Sequence, residues 1–193
     1  LYASGMSPDD IQTLLEKLDW DDIMSDRTSR RELFYRRKLD DQRYLFEVGI
    51  GKRGFKFGAG MAAGQKFNNM MEVVTLRASH ISNFDELPIP YRAVATDLIS
   101  GEAYIMSSGR LSRAMRASMA VPGVFTPVEQ DGRILVDGGV VNNLPVDVME
   151  AMGADVIIAV DVGASADRVD PNTLRTLGGV LGRTYTIAQR PQQ

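Results

Sequence analysis

Asp137-Gly138-Gly139 is the tripeptide of this chain best suited to chemistry. The aspartate ends the apolar run Ile134-Leu135-Val136, and two glycines follow at once. In open α/β sheets functional groups gather at the carboxyl ends of strands. Glycines there permit a sharp turn and a close backbone approach. Together the three residues could present one carboxylate into a cleft. The competing reading is an aspartate that only opens a turn, as aspartates often do. Just downstream, Asn143 reads as a turn or capping residue, with Pro145 near the first position of a following helix. Gly58-Ala59-Gly60-Met61-Ala62-Ala63 fits a loose dinucleotide fingerprint ahead of a helix, but no strand ending in an acid follows about 20 residues on. His80 sits in the polar connection Ala78-Ser79-His80-Ile81-Ser82-Asn83, the setting of a surface histidine more than of a catalytic base.

Composition narrows the chemistry further. The 193 residues contain no cysteine, which removes disulfides, cysteine zinc sites, iron–sulfur clusters and a thiol nucleophile. The single histidine removes any metal site that needs two. No Gly-X-Ser-X-Gly elbow and no Walker motif occurs. No metal and no cofactor is therefore expected. The net charge of −3 and a pI of about 5.2 give no reason to expect nucleic acid. With 44% apolar and 24% charged residues the chain has ordinary globular composition and a length suited to one domain. Its longest apolar run, Val156 to Val160, is five residues, far short of the roughly 20 that cross a bilayer. The compartment and the oligomeric state are left open.

The elements that must position these residues alternate. Leu1 to Gly5 reads as the tail of a helix closed by glycine. Ser7-Pro8-Asp9-Asp10 is a helix start, and Ile11, Leu14, Leu15 and Leu18 form one apolar face behind it. Residues 27–43 carry seven basic residues against three acidic ones. That stretch is either a solvated, salt-bridged segment or a contact with anionic headgroups. Residues 49–64 hold six glycines, which predicts a hairpin or a mobile loop. Phe67, Met70, Met71 and Val74 mark an amphipathic helix with core-filling methionines. A strand over 91–96 and a hairpin partner over 103–106 follow, then a helix over 111–119. A strand over 133–136 leads into Asp137, a helix over 145–152 ends at Gly153, and 155–161 predicts a central parallel strand covered on both faces. Strand, helix and strand with short joints is a βαβ unit, and the fold class read from it is α/β. The tail after about 164 is polar, with a last helix from Thr173 onward.

Several segments resemble a known family. Ala117-Ser-Met-Ala-Val-Pro-Gly-Val-Phe-Thr-Pro-Val, then Asp131-Gly-Arg-Ile-Leu-Val-Asp137-Gly-Gly-Val-Val-Asn-Asn143-Leu-Pro-Val, resembles the C-terminal signature of patatin-like phospholipases. Leu1-Tyr-Ala-Ser-Gly-Met-Ser is similar to the segment just after that family's nucleophile elbow. Arg36-Arg-Lys-Leu-Asp-Asp41 and Tyr91-Arg-Ala-Val-Ala-Thr-Asp97 resemble its bacterial branch. The resemblance covers residues 1 to about 163 and implies a three-layer α/β domain with helices on both faces of the sheet. On that reading 1–193 is a single truncated domain, its C-terminal two-thirds or more, with 164–193 as a helical, polar tail.

The family resemblance further implies a lipid acyl hydrolase of phospholipase A type, working through a Ser–Asp dyad. Asp137 matches the proton-accepting aspartate, and Asp137, Gly138 and Gly139 match its motif. The serine and the glycine-rich oxyanion segment would lie before Leu1, so the 193 residues alone are expected to be inactive. The implied partner is a phospholipid or other lipid ester, with a peripheral membrane-surface contact through 27–43. The segment 49–64, with Phe55 and Phe57, is a candidate flap over the site. A non-catalytic relative that binds lipid or protein is the alternative.

Overall fold

A computed structural model describes residues 1–25, 48–51, 54–57, 60–62, 64–161 and 170–188. The basic stretch 27–43 lies outside the described residues. The chain opens with a 3₁₀ turn, Tyr2–Ser4, closed by Gly5 in the left-handed conformation. Helix α1, Pro8–Lys17, starts as its sequence dictates: the Ser7 hydroxyl accepts the Asp10 N–H, proline occupies the first turn, and Asp9 and Asp10 sit at the positive end of the helix dipole. Helix α2 follows at Trp20–Ser25.

The glycine-rich region forms a hairpin. β1, Val48–Gly51, pairs antiparallel with β2, Gly54–Phe57. β3, Gly60–Ala62, then pairs parallel with the distant β6, Gly123–Phe125. The Gly60-Met61-Ala62 part of the candidate dinucleotide fingerprint is thus spent on strand pairing. Helix α3, Gln65–Val74, buries Phe67, Met71 and Val74, so Met71 fills core as its spacing predicts.

The main sheet has four strands in the order β5-β4-β8-β7, all antiparallel. They are β4 (Ala93–Asp97), β5 (Ala103–Met106), β7 (Val128–Gln130) and β8 (Arg133–Asp137). All five residues of β4 are buried, as befits an inner strand covered on both faces. Helix α4, Leu111–Ser118, packs on β4 and β8 with Leu111, Ala114 and Ala117. Phe84 and Leu135 complete that core, both fully enclosed. A second cluster joins Ile23, Phe67, Met71, Val74 and Phe125, with the Phe67 and Phe125 rings 5.3 Å apart. After β8 come α5, Val146–Ala151, ended by left-handed Gly153, and α6, Leu177–Ala188. A sheet flanked by helices is the α/β architecture the sequence predicts. Among the described residues no helix is long and apolar enough to cross a membrane.

Two expectations fail. The sheet is antiparallel, so strand 133–137, α5 and the following run do not make a parallel βαβ unit. Residues 155–161 form no strand. Val156, Ile158 and Val160 stand 82%, 86% and 69% exposed. The reason is physical: a strand apolar on both faces needs a ladder partner and two covering layers, and no described element supplies them. Pro145 also differs slightly, sitting just ahead of α5 as its N-cap instead of within its first turn.

Candidate active site

β8 delivers Asp137 to its site. Leu135 and Val136 are buried and anchor the strand between β4 and β7, while Asp137, the last residue, is half-buried. Three contacts fix it. Its N–H donates to the Ala120 carbonyl, two residues past α4, at 3.0 Å. Its carbonyl accepts the Thr96 hydroxyl of β4 at 2.9 Å. Its carboxylate Oδ1 accepts the Gly139 N–H at 2.7 Å, capping the 3₁₀ turn Gly138–Val140. Oδ2 has no hydrogen-bond partner among the described residues. The aspartate opens a turn, and that turn holds one of its carboxylate oxygens.

The glycines have separate roles. A Cβ on Gly138 would lie 2.4 Å from the Val94 carbonyl oxygen and 2.7 Å from the Val94 carbonyl carbon. Only glycine lets the turn lie this close to β4. Gly139 supplies the N–H that orients the carboxylate. The turn continues through Val141 and Asn142, whose N–H groups both donate to the Gly138 carbonyl. The Asn142 side chain donates to Asp147 at 2.9 Å, linking the turn to α5. Asn143 occupies the bend between them.

Sequence reasoning singled out Asp137, Gly138 and Gly139, and the structure brings them together in one turn. The sequence alone gives Thr96 and Ala120 no role. The one mark of Thr96 is a hydroxyl residue that follows the apolar Ala93-Val94-Ala95 of β4. Its neighbour Asp97, 3% exposed, is occupied structurally: the Ile99 N–H, the Ser100 hydroxyl and Arg133 all hold its carboxylate. These bonds, the one from Ile99 foremost, keep the carboxyl below the usual aspartate range. His80 lies in an exposed turn after α3. Among the described residues no group of three or more acids or histidines is placed to hold a metal ion.

Comparisons with known proteins identify the family. The patatin-like phospholipase family model matches residues 1–149, which includes all of the turn at Asp137. An uncharacterized NTE family protein of Mycobacterium tuberculosis is 48% identical over 81 residues, 42% of this chain and 22% of its own length. Patatin-like phospholipase domain-containing protein 7 of Rattus norvegicus is 44% identical over 108 residues, 55% of this chain and 8% of its own. A putative patatin-like phospholipase domain-containing protein of Caenorhabditis elegans is 34% identical over 133 residues, 68% of this chain and 12% of its own. The chain thus spans less than a quarter of the length of each of these relatives. A family model that covers most of the sequence, together with such relatives, places this chain in the patatin-like phospholipase family.

Proposed function

We propose that the protein is a lipid acyl hydrolase of phospholipase A type in which Asp137 accepts the proton of a nucleophilic serine. The observation that carries this reading is the split environment of the carboxylate: Oδ1 is held by the Gly139 N–H, and Oδ2 is unpartnered among the described residues. A carboxylate held at one oxygen is oriented but keeps an acceptor for an incoming hydroxyl, as a general base requires. The Thr96 and Ala120 contacts fix the backbone on both sides of it.

These 193 residues contain no Gly-X-Ser-X-Gly elbow. In this proposal the serine and its oxyanion donors come from chain outside them, and the 193-residue polypeptide alone does not turn over ester. Residues 1–193 then belong to one catalytic domain, with 164–193 as its C-terminal tail. The substrate is a phospholipid or related lipid ester, and the basic 27–43 stretch favours seating on anionic lipid, with binding that weakens as salt rises.

The test is fatty acid release from phospholipid vesicles by the full-length protein, wild type against Asp137→Asn. The amide keeps the shape but is a poor proton acceptor, so release should fall about 10²–10⁴-fold, the range of a lost general base. Equal release by both proteins would overturn the role of Asp137, and no release by either would favour a relative that binds lipid or protein without catalysis.

A further inference from the structure

A cavity of about 390 Å³ opens beside α4, on the face that carries Arg110, Arg113 and Arg116. Asn68 and Glu72 of α3, Thr126 and Pro127 of the β6–β7 connection, and Val128 and Glu129 of β7 form its other walls. None of Asp137 to Asn143 lines it. Its ionisable side chains are three arginines against Glu72 and Glu129, an excess of one positive charge.

Arg116 is the unusual member. It is only 5% exposed, its guanidinium lies over the Phe125 ring at 4.7 Å, and a Cβ on Gly64 would sit 3.0 Å from its Nη2. One nitrogen, Nη2, donates to the Thr126 carbonyl at 3.0 Å. Nε and Nη1 are buried with no hydrogen-bond partner among the described residues. A buried guanidinium with two idle nitrogens is costly unless something answers its charge. The Asn68 Oδ1, on the same cavity, is also buried without a partner. Turning that amide would offer its NH₂ to an acceptor. Arg110 is paired with Glu72 at 2.7 Å, and Ser112 donates to the same carboxylate at 2.8 Å. Arg113 donates to the Glu129 carbonyl. Each of these two guanidinia uses one nitrogen in these bonds, out of five N–H donors apiece.

We propose that this cavity is a phosphate-binding site separate from the Asp137 turn, taking the phosphate either as a free anion or as part of a lipid headgroup. The donor count selects the ligand. A carboxylate presents two oxygens, whereas phosphate presents three or four and can face donors on several sides at once. Arginine forks match that geometry in a bidentate way that a lysine does not. Burial presses the Arg116 guanidinium below its ordinary pKa, and a bound anion would favour its charged form.

The test uses the full-length protein at fixed ionic strength, with inorganic phosphate titrated calorimetrically and chloride as the background anion. Wild type should bind phosphate. Arg116→Gln should weaken binding at least tenfold, and Arg116→Lys should fail to restore it. Glu129→Gln removes an opposing charge from an exposed position and should tighten binding about threefold, the scale of one exposed charge interaction. This variant reads the site even if Arg116→Gln does not fold. Co-sedimentation with phosphatidic acid–phosphatidylcholine vesicles then separates the sources. Loss of vesicle binding on adding phosphate, and on Arg116→Gln, assigns the site to a headgroup. Vesicle binding indifferent to both, with calorimetric binding intact, assigns it to free phosphate. No heat with phosphate, or binding that neither Arg116→Gln nor Glu129→Gln changes, would overturn the proposal.

Discussion

Gly138→Ala puts the geometry of the Asp137 turn under direct test. The added methyl would stand 2.4 Å from the Val94 oxygen, 2.7 Å from its carbonyl carbon and 3.1 Å from its Cγ1. Carbon atoms in contact prefer about 3.5–4.0 Å, so the turn and β4 must part by about 1 Å. The obstructing atoms are backbone of an inner strand, paired with β5 on one side and β8 on the other, and cannot rotate aside. The cost should then fall near the upper end of overpacking, about 3 kcal/mol. For a chain of this size each kcal/mol moves the melting temperature by roughly 2–4 °C, so melting should drop by about 6–12 °C. The displacement also bears on function. Asp137 precedes Gly138 directly, and a misplacement of about 1 Å can reduce turnover about 10²-fold. Circular dichroism melting and vesicle hydrolysis by the full-length protein read the two effects. A variant that melts within about 2 °C of wild type and hydrolyses lipid at the wild-type rate would refute the close approach of turn to strand.

Two further outcomes are expected. The hydrogen bonds to Asp97 lower its carboxyl pKa in the fold, so its contribution to stability is complete above the unfolded value of about 4 and disappears as pH falls through the folded value. Denaturant unfolding should therefore show Asp97→Asn less stable than wild type at neutral pH, with the gap closing below about pH 4; a gap independent of pH would contradict the assignment. Gly182 lies inside α6, and a Cβ there meets nothing within 4 Å. Gly182→Ala should stabilise the helix by about 0.5–1 kcal/mol, visible as a small rise in melting temperature, and a fall would show that the position is more crowded than described.

What could be read from the sequence was mostly local. Ser7 and Pro8 announce α1 because capping depends on residues three apart. Ser100-Gly101 sits in the turn joining β4 to β5, where Gly101 takes a left-handed conformation. The turn at Asp137 was legible because an aspartate and two glycines at a strand end restrict what the backbone can do. What failed depended on distant partners. Val156 to Val160 has the apolar pattern of a buried strand, yet burial requires neighbours that local pattern does not specify. The parallel pairing of β3 with β6 joins residues some 60 positions apart and left no local mark. The burial of Arg116 follows from Gly64 and Phe125, which meet it from other elements.

The exposure of Val156, Ile158 and Val160 bears on how this polypeptide behaves in company. A short apolar run, mostly β-branched, outside any ladder and without charge between Asp155 and Asp161, is a ready template for strand addition by another chain. The two flanking aspartates then act as gatekeepers, since stacking copies in register would bring like charges together at both ends. Solubility of the isolated polypeptide should therefore hinge on these two carboxylates, and high salt, which screens them, is where self-association would begin.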